Sequence, residues 1–346
     1  MDIKAIRIGF VRYCAAILVA GGAIVAGFVP GSATAQDVVL HGVQLGALGA
    51  LRTTLPEVGK KYNIQYELKD FRDSTSAMRA LDQGELHIAN TTAQHLARAI
   101  NEEIEVVWVA GWGGGYNVLV AGKGFAAGTT DASVKAAIMT RKAAGNLVKI
   151  GVPTGSMQHA KLLQYLSSIG VDGDNDVEVV NVPFHMHPRA IDGGEVDMAM
   201  ALAGFAELAI QTSGATRVKH LYEGRYGKQE IGFIVQKSLI ETNPDLVQRI
   251  VASHVEAMNM FIDDMDAQIA FEKEYSRFPP AVVENTEKTY LRYDYRTNVT
   301  DLKAMAKQLH GLGWMKQDFS SQVDDAVDLT FLSKATGKPV AFLSSW

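Results

Sequence analysis

An internal repeat constrains this chain more than any other feature. Arg79-Ala80-Leu81-Asp82-Gln83-Gly84-Glu85-Leu86-His87-Ile88-Ala89 aligns with Arg189-Ala190-Ile191-Asp192-Gly193-Gly194-Glu195-Val196-Asp197-Met198-Ala199 at an offset of 110, with six identities in eleven positions. Earlier in each unit, Gly42-Val43-Gln44-Leu45-Gly46 aligns with Gly151-Val152-Pro153-Thr154-Gly155 at an offset of 109. A lone Gly-Glu pair would mark only a helix stop before a strand; two matches in the same order imply two units of like construction.

Periodicity gives each unit the same reading of strand, helix, strand, helix, strand. In the first these are Val38 to Val43, Leu48 to Lys61, Ile64 to Leu68, Ser76 to Leu81, and Leu86 to Ala89 ending at Asn90-Thr91-Thr92. In the second they are Val148 to Val152, Ser156 to Ile169, Val177 to Val182, Pro188 to Ile191, and Val196 to Met200. Strands alternating with helices imply a parallel sheet in each unit, hence two α/β lobes. Glu105 to Ala110 and Asn117 to Ala121 read as strands around Trp112-Gly113-Gly114-Gly115-Tyr116, with Lys123 to Thr130 as the first bridge. Arg217 to Tyr222 and Gly232 to Val235 lead back, and from Asn243 the chain reads as a helical tail that packs on the first lobe. The expected division is 36–124 with 218–346 for lobe 1 and 125–217 for lobe 2.

Residues 1–35 read as a signal peptide. Lys4, Arg7 and Arg12 precede an apolar run from Ala15 to Val29, and Ala33-Thr34-Ala35 supplies a cleavage pattern before Gln36. The run is too short to span a bilayer as a helix. Its loss with Asp2 shifts the formal net charge from −5 to −7, and it takes the single cysteine, Cys14, with it. Disulfide frameworks, thiol nucleophiles and Cys-based metal sites are thereby excluded from the mature chain, and the absence of basic clusters argues against nucleic acid.

In open parallel sheets, ligands gather beyond the carboxyl ends of the strands, where helix N-termini present unpaired N–H groups. The loops expected there carry Leu45 and Gly46, Arg72, Thr91 and Thr92, Trp112 and Tyr116, Thr154, Gly155 and Ser156, His159, His185, and Phe205. Thr154-Gly155-Ser156 opens a helix after a strand, so it suits a carbonyl or anionic head, although Ser156 as a plain N-cap explains the pattern equally. Trp112 and Tyr116 suit stacking on a flat ligand or a place in the core. His185 and His187, on alternate positions of an extended segment with His159 nearby, could suit a metal, but no HExxH or carboxylate spacing accompanies them, and histidines in loops serve readily as hydrogen-bond donors to an organic ligand, which is the expectation here.

Gly151-Val152-Pro153-Thr154-Gly155-Ser156 followed by His159, the Gly84-Glu85 and Gly194-Glu195 motifs, the export signal and the helical tail together resemble the periplasmic substrate-binding proteins of ABC importers. The nearest group serves nitrate, sulfonate, taurine and thiamine-pyrimidine precursors. The resemblance implies a two-lobed type II periplasmic-binding fold, no catalysis and no cofactor. It further implies one small polar or anionic organic molecule between the lobes, and delivery by a monomer to a permease in the inner membrane. The loop at Thr154 and Ser156 would hold the polar head, and Leu45-Gly46, Thr91-Thr92 and Phe205 would line the rest. Two other readings are a thiamine-pyrimidine-synthase-like enzyme and a carrier of metal or a metal complex using His185 and His187.

Overall fold

The structure, a computed structural model, describes residues 36–44, 48–71 and 74–346. The leader at 1–35 lies outside them, as do Leu45, Gly46 and Arg72. In the first repeat, β1 (Asp37–Gln44), α1 (Gly49–Lys61), β2 (Ile64–Phe71), α2 (Ser74–Asp82), β3 (Ile88–Thr92) and α3 (Ala93–Asn101) follow one another. Then β4 (Val106–Gly114) and β5 (Asn117–Ala121) lead through α4 (Asp131–Ala143) to the second repeat. That repeat comprises β6 (Val148–Val152), α5 (Met157–Ser168), β7 (Val177–Asn181), α6 (His187–Asp192), β8 (Met198–Leu202) and α7 (Ala203–Ser213). The chain returns by β9 (Thr216–His220) and β10 (Ile231–Gln236) to α8 (Lys237–Thr242) and α9 (Pro244–Asn259). It finishes with α10 (Met265–Tyr275), α11 (Pro280–Thr289), β11 (Arg292–Tyr293), α12 (Val299–Gly311), α13 (Thr330–Thr336) and α14 (Val340–Leu343).

Two sheets result, ordered β2-β1-β3-β10-β4-β11 and β7-β6-β8-β5-β9. The three repeat strands of each are parallel, as expected, and the repeat holds to the residue: Gly42 pairs with Ala89 as Gly151 pairs with Ala199. Its Gly-Glu signature has one local cause. Gly84 and Gly194 end α2 and α6 at φ of 74° and 69°, a left-handed turn that returns the Glu85 and Glu195 N–H groups to the carbonyls of Ala80 and Ala190.

Two expectations fail. Neither sheet is wholly parallel, because each admits an antiparallel strand arriving from the other lobe, β10 between β3 and β4, and β5 between β8 and β9. The run Asn117 to Ala121, expected in lobe 1, therefore belongs to the second sheet. The first crossing falls at 115–116 and not at Lys123 to Thr130; the return falls at 221–230, after β9, whose residues the division at 217/218 would split between the lobes.

Each sheet is covered on both faces. In the first lobe α1 and α9 close one face, and α2, α3 and α12 the other. In the second, alternation along β5 sends Val118 and Val120 toward α6 and α7 and Leu119 and Ala121 toward α4 and α5. The tail lies mainly on the first lobe, but α11 packs on α7 of the second.

Candidate functional site

The carboxyl ends of both sets of parallel strands meet at one seam, joined by the two crossings. The helices that follow the third repeat strands are anchored to those crossings in matching ways: the Ala93 N–H donates to the Glu230 carbonyl at 3.1 Å, and the Ala203 N–H to the Tyr116 carbonyl at 2.9 Å. Each bond satisfies a donor that a helix start leaves open. Between them lies a buried ion pair. Lys161 of α5 meets Glu230 Oε1 at 2.5 Å, with the two side chains 1% and 0% exposed, and Glu230 Oε2 accepts the Tyr116 N–H at 2.8 Å. That last bond joins the two crossings, and His220 Nε2, at the end of β9, donates to the Gly115 carbonyl of the first at 3.0 Å.

The glycine run of the first crossing serves backbone approach. A Cβ on Gly113 would come within 2.0 Å of the Arg292 carbonyl oxygen, and one on Gly115 within 2.1 Å of that of Tyr290. The incoming strand β11 therefore requires glycine. Trp112 is fully buried, edge-on to Phe233 and Tyr293, and its Nε1 donates to the Tyr116 hydroxyl at 2.9 Å. Of this aromatic pair only Tyr116 is partly exposed.

On the second lobe's side, the Ser156 hydroxyl accepts the His159 N–H and caps α5, and the Thr154 N–H donates to Asn181 Oδ1. The Gly155 carbonyl accepts from Gln94 and Arg98 of α3, at 2.6 and 2.9 Å, fastening this loop to the first lobe. His159 Nδ1 accepts the Gly155 N–H at 3.1 Å while its ring packs on Trp314, and burial lowers its pKa. Thr92 bonds His95 Nδ1 at 2.7 Å, and Phe205 lies edge-on to Phe278, ring centroids 4.9 Å apart.

The histidine pair departs from its expected geometry. Pro183 opens a 3-10 turn at Phe184–Met186 that runs into α6, so the segment is not extended and the side chains diverge. His185 is exposed; His187 is buried, donates from Nε2 to the Val182 carbonyl, and has its pKa lowered to about 4 by burial. Among the described residues no group of three or more His, Cys, Asp or Glu side chains is placed to hold a metal ion.

Unmet hydrogen-bonding capacity marks the seam. Asn90 Nδ2, Thr91 Oγ1 and Gln94 Oε1, at the end of β3 and start of α3, have no partner within the protein, nor do Nδ2 and Oδ1 of Asn117 at the start of β5. All four residues are at most 1% exposed. Buried polar groups are seldom left unpaired without a use. Thr91 is a candidate by its strand-end position in the sequence as well; Gln94, Asn117, Lys161 and Glu230 carry no such local signal. A separate cavity of about 490 Å³ opens between α7, β9 and α11, lined by Glu207, Arg217, Asn285 and Tyr290 among others. None of the sequence-predicted residues lines it.

The NMT1-like family model matches residues 56–272. No curated protein matches the chain. Among solved structures, the chain is similar to the nitrate-binding protein NrtA of Synechocystis PCC 6803, with 12% identity, a TM-score of 0.71, and 89% of this chain and 91% of that one covered. It is similar to the alkanesulfonate-binding protein SsuA of Xanthomonas axonopodis pv. citri bound to MOPS, with 16% identity, a TM-score of 0.68, and coverage of 86% and 100%. It is also similar to the desulfurization enzyme DSZB, with 14% identity, a TM-score of 0.64, and coverage of 87% and 99%. The two-lobed periplasmic-binding fold is thus shared by binding proteins and by an enzyme.

Proposed function

The chain belongs to the NMT1-like family, and we propose that this member is the solute-binding component of an ABC importer, holding one small polar organic molecule at the seam between its lobes. The observation that carries this reading is the set of buried, unpartnered groups on Asn90, Thr91, Gln94 and Asn117 beside the two crossings. A polar solute would meet that capacity, and contact with both sides would favour the closed arrangement, since only differential affinity shifts such an equilibrium. In this reading residues 1–35 direct export to the periplasm and are removed. Thr154 and Ser156 hold the solute's polar end, Tyr116 and Phe205 pack on its body, and Leu45, Gly46 and Arg72 complete the lining. The closed monomer then delivers its load to a membrane permease.

The fold it shares with DSZB leaves chemistry open in principle, but the histidine at the seam argues for binding. His159 Nδ1 is already engaged by the Gly155 N–H and its ring by Trp314, which suits a positioning role better than that of a base.

Native mass spectrometry of gently purified mature chain tests the reading: one retained small molecule per chain is expected, with compaction in X-ray scattering when it is returned to stripped protein. Thr91→Val should weaken that molecule's binding by about tenfold while leaving the fold intact. A chain that retains nothing and responds to no member of a metabolite panel would remove the proposal.

A further inference from the structure

One contact of the tail falls at the start of α1. α1 begins with Leu48 in the N-cap position, at φ 62°, and has neither a side-chain cap nor an acidic residue in its first turn. The missing carboxylate comes from α10. Glu272 Oε1 accepts the Ala50 N–H at 2.9 Å, its other oxygen stands where a methyl on Gly49 would be only 2.5 Å away, and Thr53 Oγ1 donates to the Phe271 carbonyl at 3.3 Å. From there the chain runs across to the second lobe, where the Phe278 ring lies against Gly204 and Phe205 at the start of α7.

The surroundings are acidic and aromatic. Glu287 of α11 is 2% exposed and accepts the Tyr293 hydroxyl at 2.9 Å. Burial pushes the Glu272 carboxyl up to about 7 against the pull of the Ala50 and Gly49 N–H groups and of Arg52; burial and the Glu272 charge push Glu287 up as well. Tyr116 and Tyr293 are within electrostatic reach of both. One turn before Glu272, on the same face of α10, Gln268 is 5% exposed and its Oε1 has no partner. Its Nε2 donates to the Ile262 carbonyl at 3.2 Å.

We propose that Glu272 is a specificity-determining residue, which supplies from within the chain the carboxylate that a free α1 N-terminus would take from an anionic solute. A helix start at the carboxyl end of a strand binds anions through its open N–H groups; here those groups are filled. The cleft therefore rejects sulfonate and nitrate heads at its first-lobe end and accepts a solute that presents an uncharged or positive N–H group there. This rests on the solute-binding reading and narrows its solute class.

The test is calorimetry at pH 8, where the Glu272 carboxyl is largely ionised, with ethanesulfonate and with nitrate, on the mature chain, Glu272→Ala and Glu272→Gln. Thermal melts confirm folding. The wild type should bind neither anion, and Glu272→Ala should bind ethanesulfonate at least about tenfold more tightly than the wild type does. If Glu272→Ala fails to fold, Glu272→Gln keeps an acceptor for Ala50 and removes only the charge, so it must raise anion affinity by itself. A folded variant with no gain, or a wild type that binds ethanesulfonate as tightly as the variants, overturns the proposal. The retained-solute experiment separates this failure from that of the solute-binding reading: a wild type that holds its own solute while the variants gain no anion affinity counts against Glu272 alone.

Discussion

The two lobes share strand order and register yet fill the middle of their sheets differently. Beside β8 the second lobe places Ile150, fully buried in a hydrophobic cluster. At the matching position of β1 the first lobe places His41, 0% exposed, with neither ring nitrogen partnered. Its ring lies 5.2 Å from that of His254 on α9 and 5.7 Å from that of Phe233. Backbone pairing and the glycine-terminated helices determine the architecture; the side chain at its centre is free to differ, and with it the response to acid.

The largest expected effect concerns what the lobes have in common. Lys161→Met or Glu230→Gln leaves an unpaired buried group at the joint and should cost about 3–5 kcal/mol in urea denaturation, with the double replacement Lys161→Met/Glu230→Leu costing less. A single variant as stable as the wild type would show that the joint does not hold the lobes.

Acid should separate the lobes. Burial lowers the pKa of His41, helped by the nearby His254 and Arg52, and lowers that of His254 to about 4. Stability from keeping these rings neutral is complete above about pH 6.5 and is lost as pH falls below it, by up to about 3 kcal/mol for His254 alone near pH 4. His41→Ile copies the second lobe and should flatten the fall in stability between pH 7 and pH 5. An unchanged slope would mean that the other buried histidines set it.

A smaller effect checks the likeness itself. Gly84→Ala and Gly194→Ala meet no neighbouring atom within 4 Å, so each pays only for the left-handed backbone, about 1–2 kcal/mol, and the two should match. Unequal losses would break the equivalence. Least of all, Ser156→Ala should cost about 1 kcal/mol as a lost cap while Ser156→Asp costs almost nothing, both read as shifts in thermal midpoint.

What was legible in the sequence is what depends on neighbours along the chain. The glycine-ended α2 and α6, the strand starts after them and the Ser156 cap follow from local patterns, and Ala93, Leu96, Ala97 and Ile100 stand at the helical spacing that α3 shows. The turn at His185 was legible too, since Pro188 follows His187 as proline does at a helix start. The strand exchange was not, because Val118 to Ala121 alternates identically in either sheet. Nor were the joint and the α1 cap: Lys161 and Glu230 stand 69 residues apart, and Ala50 and Glu272 stand 222 apart.

The strand exchange also orders assembly in time. Every strand of the second sheet lies within residues 117–220, whereas the first sheet lacks β10 and β11 until the chain beyond 230 has been made. As the polypeptide emerges from its amino end, the later lobe is the one able to finish first. The earlier one must wait with β3 and β4 unjoined, their edges open to wrong pairing, until the whole of its sibling has been synthesised. The wait between β4 and β10 thus leaves two strand edges without the partner that later joins them.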